Sequence, residues 1–404
     1  MKIDDIARTA KVRFDGNLKT FPALLSYYLN ISKRVRGLNR KLVAKGPLSP
    51  VEIIYATEAL AYDVSTHTTL QIVFEGNTNI IQHAINAGIS SEINPWNLIT
   101  LGAGLSQDDG VPLDLFSTAF NGFNEQLIKG FQLLANIKSK PLLFWEVPIY
   151  DIEAKNWAIE YLKNEIQQYF DWMEYQTGIR MTQERLERAV QLGNQIRNDM
   201  IELNKYLTSP QVPITALELY IIQVMMGDYA QDPEGLHKLL KQLLREIEFK
   251  VKQSEQINST ADSPVRVYII GDETTELYLY NLIEDYGGVV VGLNFRLPLY
   301  YELIDEQTLS IESLAHWIWN MPTNLPIQKR IEFELNHIRK QKTDAVIISS
   351  VVGSRCLPGA EKLFRDSIKQ ELGIPVIEIE TSMPGDNVER IDYQVRGLLQ
   401  TLSY

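Results

Sequence analysis

Residues 344–391 read DAVIISSVVGSRCLPGAEKLFRDSIKQELGIPVIEIETSMPGDNVERI, and this stretch decides the fold. DAVIISS (344–350) is a short apolar, β-branched run of the kind expected for a strand covered on both faces. VGSRCLPG is a loop. From Glu361 to Leu372 apolar residues recur at Leu363, Phe364, Ile368 and Leu372, a helical stripe stopped by Gly373. IPVIEIET is the next strand. Strand, helix and second buried strand make a βαβ unit, whose crossover is right-handed almost without exception. The loop carrying Cys356 is therefore expected at the carboxyl end of a parallel strand, where open α/β sheets place their ligands.

Upstream the same logic repeats. VRVYIIG, beginning at Val265, is a strand, Glu276 to Tyr286 a helix and VVVG the next strand, so a second α/β domain is expected at 265–404. Its insertion at 295–342 holds HWIWNMPTNLP and the charged helix IQKRIEFELNHIRKQK. The polar, small-residue stretch SEQINSTADSP (254–264) marks the boundary before it.

Residues 151–258 have a helical texture. Trp157, Tyr161, Ile166, Tyr169, Phe170 and Met173 share one face of a long helix ended by Gly178. A second helix is capped by Thr182, with Leu186, Val190, Ile196, Met200 and Leu203 on its apolar side; Thr215 and Glu218 match a capping box, and HKLLKQLLREIEFKVKQ follows as another helix. Most of the charges of this segment are expected on solvated helix faces.

Residues 1–150 read as the first α/β domain behind an amphipathic helical lead-in of about forty residues. RKLVAKG is a strand, and PLSPVEIIYATEAL a helix with Ser49 as N-cap and Pro50 at its first position. NLITLGAG (97–104) reads as a strand, LDLFSTAF (113–120) as another, NEQLIKGFQLLANI as a helix and PLLFWEV as a strand. The expected fold class is thus α/β: two parallel-sheet, Rossmann/flavodoxin-like domains joined by a helical middle segment.

The net charge of −12 and a pI near 5.1 argue against nucleic acid or anionic lipid as partners. No run of 18 or more apolar residues occurs, and a cytoplasmic protein is expected. A single cysteine excludes an internal disulfide and any cysteine-rich metal site built by this chain alone. His67, His83, His237, His316 and His337 share no metal-ligand spacing and are read as structural; no metal is expected. GAGLSQDDG matches neither a dinucleotide nor a phosphate-loop pattern, and no GxSxG elbow occurs. Asp108 and Asp109 read as a turn. Cys356 has only Arg355 nearby to lower its pKa, so a plain thiol is favoured over a nucleophile.

Three segments together carry a resemblance: SPVEIIYATEAL, the run EVPIYDIEAKNWAIEYLKNEIQQYFDWMEYQTGIRMTQERLERAVQLGNQIR, and RCLPGAEKLFRDSIKQELGIPVIEIETSMPG. Their order and spacing resemble the D-component family of 2-hydroxyacyl-CoA dehydratases and benzoyl-CoA reductases. The resemblance implies a subunit, often of a heterodimer, that works on acyl-CoA thioesters in anaerobic metabolism as a lyase or an oxidoreductase, after one electron from an ATP-dependent activator. It also implies a 4Fe-4S cluster held by thiolates from loops of both α/β domains. At the corresponding loops this chain has Gly46, Asn94, Phe120 and Asn121, and a cysteine only at Cys356. One thiolate does not hold such a cluster. The expectation is a subunit without its own cluster, completing the pocket or dimer beside a homologous cluster-bearing partner; the competing reading is a redox-inactive small-ligand-binding or structural relative. Gly46, Glu52, Asn94, Phe120, Asn121 and Cys356 are the candidate cleft residues.

Overall fold

The computed structural model describes residues 12–16, 18–46, 48–75, 79–106, 111, 113–120, 125–148, 155–255, 263–354, 357, 359–383 and 388–402. Among them eight strands form two four-stranded sheets in which every pairing is parallel. The first contains β1 (Leu42–Lys45), β2 (Leu60–Tyr62), β3 (Leu115–Phe120) and β4 (Leu142–Glu146), in the order β2-β1-β3-β4. The second contains β5 (Val265–Gly271), β6 (Gly288–Leu293), β7 (Ala345–Val351) and β8 (Val376–Thr381), in the matching order β6-β5-β7-β8. The expectation of two parallel-sheet α/β halves is met.

In each sheet the chain leaves its first strand toward one neighbour and returns on the other side, so the strand order reverses between β1 and β3 and between β5 and β7. Such reversal points open a crevice at the strands' carboxyl ends. The central strands have few polar positions because helices cover both faces: β1 is buried throughout, and β7 is buried except at Ser350.

Between the sheets run Lys155–Thr177, Gln183–Tyr206, Ala216–Val224 and Pro233–Glu255, all helical, with Gly178 at φ 72° ending the first. Thr215 and Glu218 form the reciprocal capping box expected from their spacing. Glu361–Leu372 is a helix closed by Gly373 at φ 68°. Trp145 and Tyr169, with ring centroids 5.8 Å apart, pack the first sheet against the first middle helix.

Two local readings are corrected. Residues 97–104 are not a strand; they belong to the helix Pro95–Leu105, whose Asn94 side chain caps Trp96 and Asn97 and whose first residue is Pro95. That helix is buried at every position except Trp96 and Leu105, so it lacks the polar stripe that reveals a helical period. Secondly, the helix after β1 spans only Val51–Ala56; Pro50 occupies the N-cap and Ser49 makes no cap bond. Glu58, at φ 57°, turns the chain into β2, which the sequence reading missed. Among the middle segment's charges, expected mostly on solvated faces, Arg197, Asp199, Glu218 and Asp228 are buried exceptions.

Candidate functional site

The carboxyl ends of the two sheets approach each other across the middle helices. Trp96 Nε1 donates to the carbonyl of Glu273, just beyond β5, at 3.0 Å. A Cβ at Gly353, in the loop after β7, would lie 3.0 Å from the Asn94 nitrogen. Asn94 is held in turn by its N–H to Gln126 Oε1 at 2.9 Å.

At this junction lies a buried ionic network drawn from four distant parts of the chain. Asp63 follows β2, Asp228 ends the middle segment's helical turn, Glu273 follows β5 and Arg296 follows β6. Arg296 Nη1 sits 3.1 Å from Asp63 Oδ2, and Nη2 sits 3.2 Å from Glu273 Oε2 and also bonds the Thr66 hydroxyl. Tyr220 donates its hydroxyl to Glu273 Oε1 at 2.8 Å. Asp228 Oδ2 accepts the backbone N–H of Asp63 at 2.8 Å and lies 2.7 Å from His67 Nε2. The imidazole is sandwiched between Tyr28 and Tyr62, with centroid distances of 4.6 and 4.5 Å.

The electrostatics follow from burial and pairing. Burial would raise the Asp63 carboxyl, but Arg296 and then Lys45 outweigh it and hold it well below the usual range. Glu273 moves the other way, because burial exceeds the pull of Arg296. Lys45, the last residue of β1, is held below the usual lysine range by burial, with Asp63 pulling it back. Its ammonium donates to the carbonyl of Gly46 at 3.3 Å.

Beside this network is a second buried pair. Glu52 Oε1 accepts from Arg197 Nη2 at 2.6 Å and from the Tyr229 hydroxyl at 3.0 Å. Arg197 also donates to the carbonyl of Leu299 at 3.1 Å and lies 4.7 Å from the Trp317 ring centroid. Burial lowers its pKa, and Glu52 more than compensates. A cavity of about 20 Å³, the size of one or two waters, is lined by Lys45, Ser49, Glu52, Arg197, Tyr229 and Trp317 among others. Together these groups can orient a polar ligand from both carboxylate and cationic sides in a medium where each contact is strengthened by exclusion of water.

Of the residues singled out in the sequence, Gly46 lies at the end of β1, where a Cβ would fall 2.3 Å from Thr118 Oγ1. Only glycine permits that approach between β1 and β3. Glu52 and Asn94 are buried, Glu52 in the pair with Arg197 and Asn94 against the loop after β7. Phe120 ends β3 and is exposed, 6.3 Å from Phe144. Asn121, Cys356, Arg355, Asp108 and Asp109 lie outside the described residues. Lys45, Asp63, His67, Asp228, Glu273, Arg296 and Arg197 were missed. Arg197 carried a signal: it stands seven residues after Val190, on the apolar stripe of its helix, where a charge requires a buried partner.

No described helix is long and apolar enough to cross a membrane. The sequence pattern of the 2-hydroxyglutaryl-CoA dehydratase D-component family matches residues 48–402. The chain is also similar to the alpha subunit of (R)-phenyllactyl-CoA dehydratase from Clostridium sporogenes, with 19% identity over 338 residues that cover 80% of each chain. The match takes in both sheets except the first strand, together with all the middle helices and most of the ionic network, and on this evidence the chain belongs to the 2-hydroxyglutaryl-CoA dehydratase D-component family.

Proposed function

We propose that this chain is a subunit of an acyl-CoA dehydratase or benzoyl-CoA reductase type complex that carries no iron-sulfur cluster of its own. It works beside a homologous cluster-bearing subunit, with the acyl-CoA thioester at the junction of the two sheets and an ATP-dependent activator as electron source for the partner. The observation that carries this reading is the donor set at the strand ends. Gly46, Asn94 and Phe120 stand where the family's thiolates are expected, and the junction beside them offers the oxygens and nitrogens of Lys45, Asp63, Asp228, Glu273 and Arg296, with Arg296 already engaged by Asp63 and Glu273. These hard groups do not fit a 4Fe-4S cluster. The single cysteine of the sequence supports the same conclusion.

On this reading the chain's own residues bind and orient. Lys45 and Arg296 supply positive charge toward a thioester or carboxylate oxygen, Asp63 and Glu273 fix Arg296, Asp228 holds the backbone of Asp63, and the tyrosines around His67 keep water out. A complex of this kind would act in the cytoplasm of an anaerobic organism. Purification of the tagged chain from its native host without oxygen tests the proposal: a related, cysteine-rich chain should co-purify. Recovery of the chain alone, with no affinity for acyl-CoA thioesters, would overturn it. The second reading, a redox-inactive relative that binds a small ligand or serves as scaffold, draws its support from the tight interior, whose cavity beside Lys45 is only about 20 Å³.

A further inference from the structure

Both arms of the Arg296–Glu273 contact leave the second sheet within two residues of one side chain, that of Asn294. Its Oδ1 accepts the N–H of Gly271 at 2.9 Å, and its Nδ2 donates to Glu334 Oε1 at 2.8 Å. Its backbone N–H bonds the carbonyl of Ile269 at 3.1 Å, and its own carbonyl receives the N–H of Leu297 at 3.0 Å. Asn294 therefore ties the end of β5 to the turn that carries Arg296. Gly271 cannot adjust by itself: it sits at φ 108°, and a Cβ there would lie 2.1 Å from the carbonyl of Ser349. Glu273 follows two residues later.

Glu334 approaches from behind, on the helix Ile327–Lys340. It is buried, and its Oε2 has no hydrogen-bond partner among the described residues. Arg330 on the same helix, the Tyr268 hydroxyl of β5 and, beyond it, Tyr300 are the titratable groups that face it. Arg330 attracts the Glu334 charge from one turn away, but burial outweighs that attraction. The fold thus places a carboxyl, at a cost in desolvation, where it accepts from the amide that organises both loops.

We propose that Glu334 and Asn294 form a positioning bracket that sets where Arg296 and Glu273 reach into the junction, and that ionisation of Glu334 relaxes it. The inference is independent of which ligand the junction takes. Burial pushes the Glu334 carboxyl up to about 7, so its charge changes near neutral pH. Ionisation strengthens the bond to Asn294, but it leaves Oε2 charged and without a hydrogen-bond partner among the described residues, and the burial penalty outweighs the gain. Raising the pH through this range therefore loads the bracket with an unfavourable charge and loosens its backing.

Hydrogen–deuterium exchange read by mass spectrometry tests this without a ligand. Peptides covering 271–275 and 294–299 are followed at pH 6 and 8 in the wild type, Glu334→Gln and Asn294→Ala, with intrinsic exchange rates divided out. The wild type should lose protection in both segments at pH 8, by about threefold or more. Glu334→Gln, which keeps an oxygen for the Asn294 amide but cannot ionise, should give the same protection at both pH values. Asn294→Ala should be poorly protected in both segments at both values; should it fail to fold, the glutamine variant still decides. A wild-type pH response retained in Glu334→Gln, or wild-type protection in Asn294→Ala, would overturn the proposal.

Discussion

Arg296 Nη1 lies 3.1 Å from Asp63 Oδ2, so the turn after β6 of the second sheet is bonded directly to the residue that follows β2 of the first. Asp63 is 8% exposed at its side chain and Arg296 16%. A charge left alone there has little water to recover. Arg296→Met should therefore destabilise the protein by about 3–5 kcal/mol, because it strands Asp63 and Glu273 together. Urea unfolding measures this, and stability within about 0.5 kcal/mol of wild type would show that the pair does not hold the halves as described.

The same pair predicts a limb in the acid range. The folded-state value of Asp63 is depressed, so its contribution is present above the unfolded value near 3.9 and is lost as pH falls through the folded value. Wild-type stability should fall more steeply below about pH 4 than that of Arg296→Met, in which the largest cause of the depression is gone. Parallel acid limbs for the two proteins would contradict the assignment.

At Glu52 and Arg197 the test is one of coupling. Either single change, Glu52→Gln or Arg197→Met, leaves a buried partner uncompensated and should cost about 3–5 kcal/mol, whereas the double change should cost much less than the sum. A double-mutant cycle in denaturant with no coupling energy would mean that the 2.6 Å contact is incidental.

Gly46→Ala examines the crowding between β1 and β3. The added methyl meets Thr118 Oγ1 at 2.3 Å and Thr118 Cβ at 3.0 Å, so strain of about 1–3 kcal/mol is expected. Adding Thr118→Ala removes the nearer atom and should restore part of that loss. No restoration in thermal unfolding would place the strain elsewhere.

Much of the fold could be read from the sequence where local chemistry and tertiary context agree. DAVIISS, Gly373 and the Thr215–Glu218 box each give a signal within a few residues, and each stands in the structure as read. The helix Pro95–Leu105 could not be read that way, since burial on all sides erased its polar face and left a run resembling a strand; its usable signal was Asn94 followed by Pro95. The ionic network was hidden for another reason. Asp63, Asp228, Glu273 and Arg296 belong to no common motif and meet only because the carboxyl ends of two sheets converge. The resemblance pointed to loops where thiolates were missing, Gly46, Asn94 and Phe120, but absence at those positions could not say which charged residues occupy the space beside them.

The central claim is that the redox centre belongs to a partner and not to this chain. Iron and acid-labile sulfide should be measured on the complex isolated without oxygen, and again on the two chains after their separation. The account predicts about four irons per complex, all of them remaining with the cysteine-bearing partner, and none above background on this chain even after reconstitution with iron and sulfide. About four irons bound by this chain alone, with the visible absorption of a cluster, would contradict it.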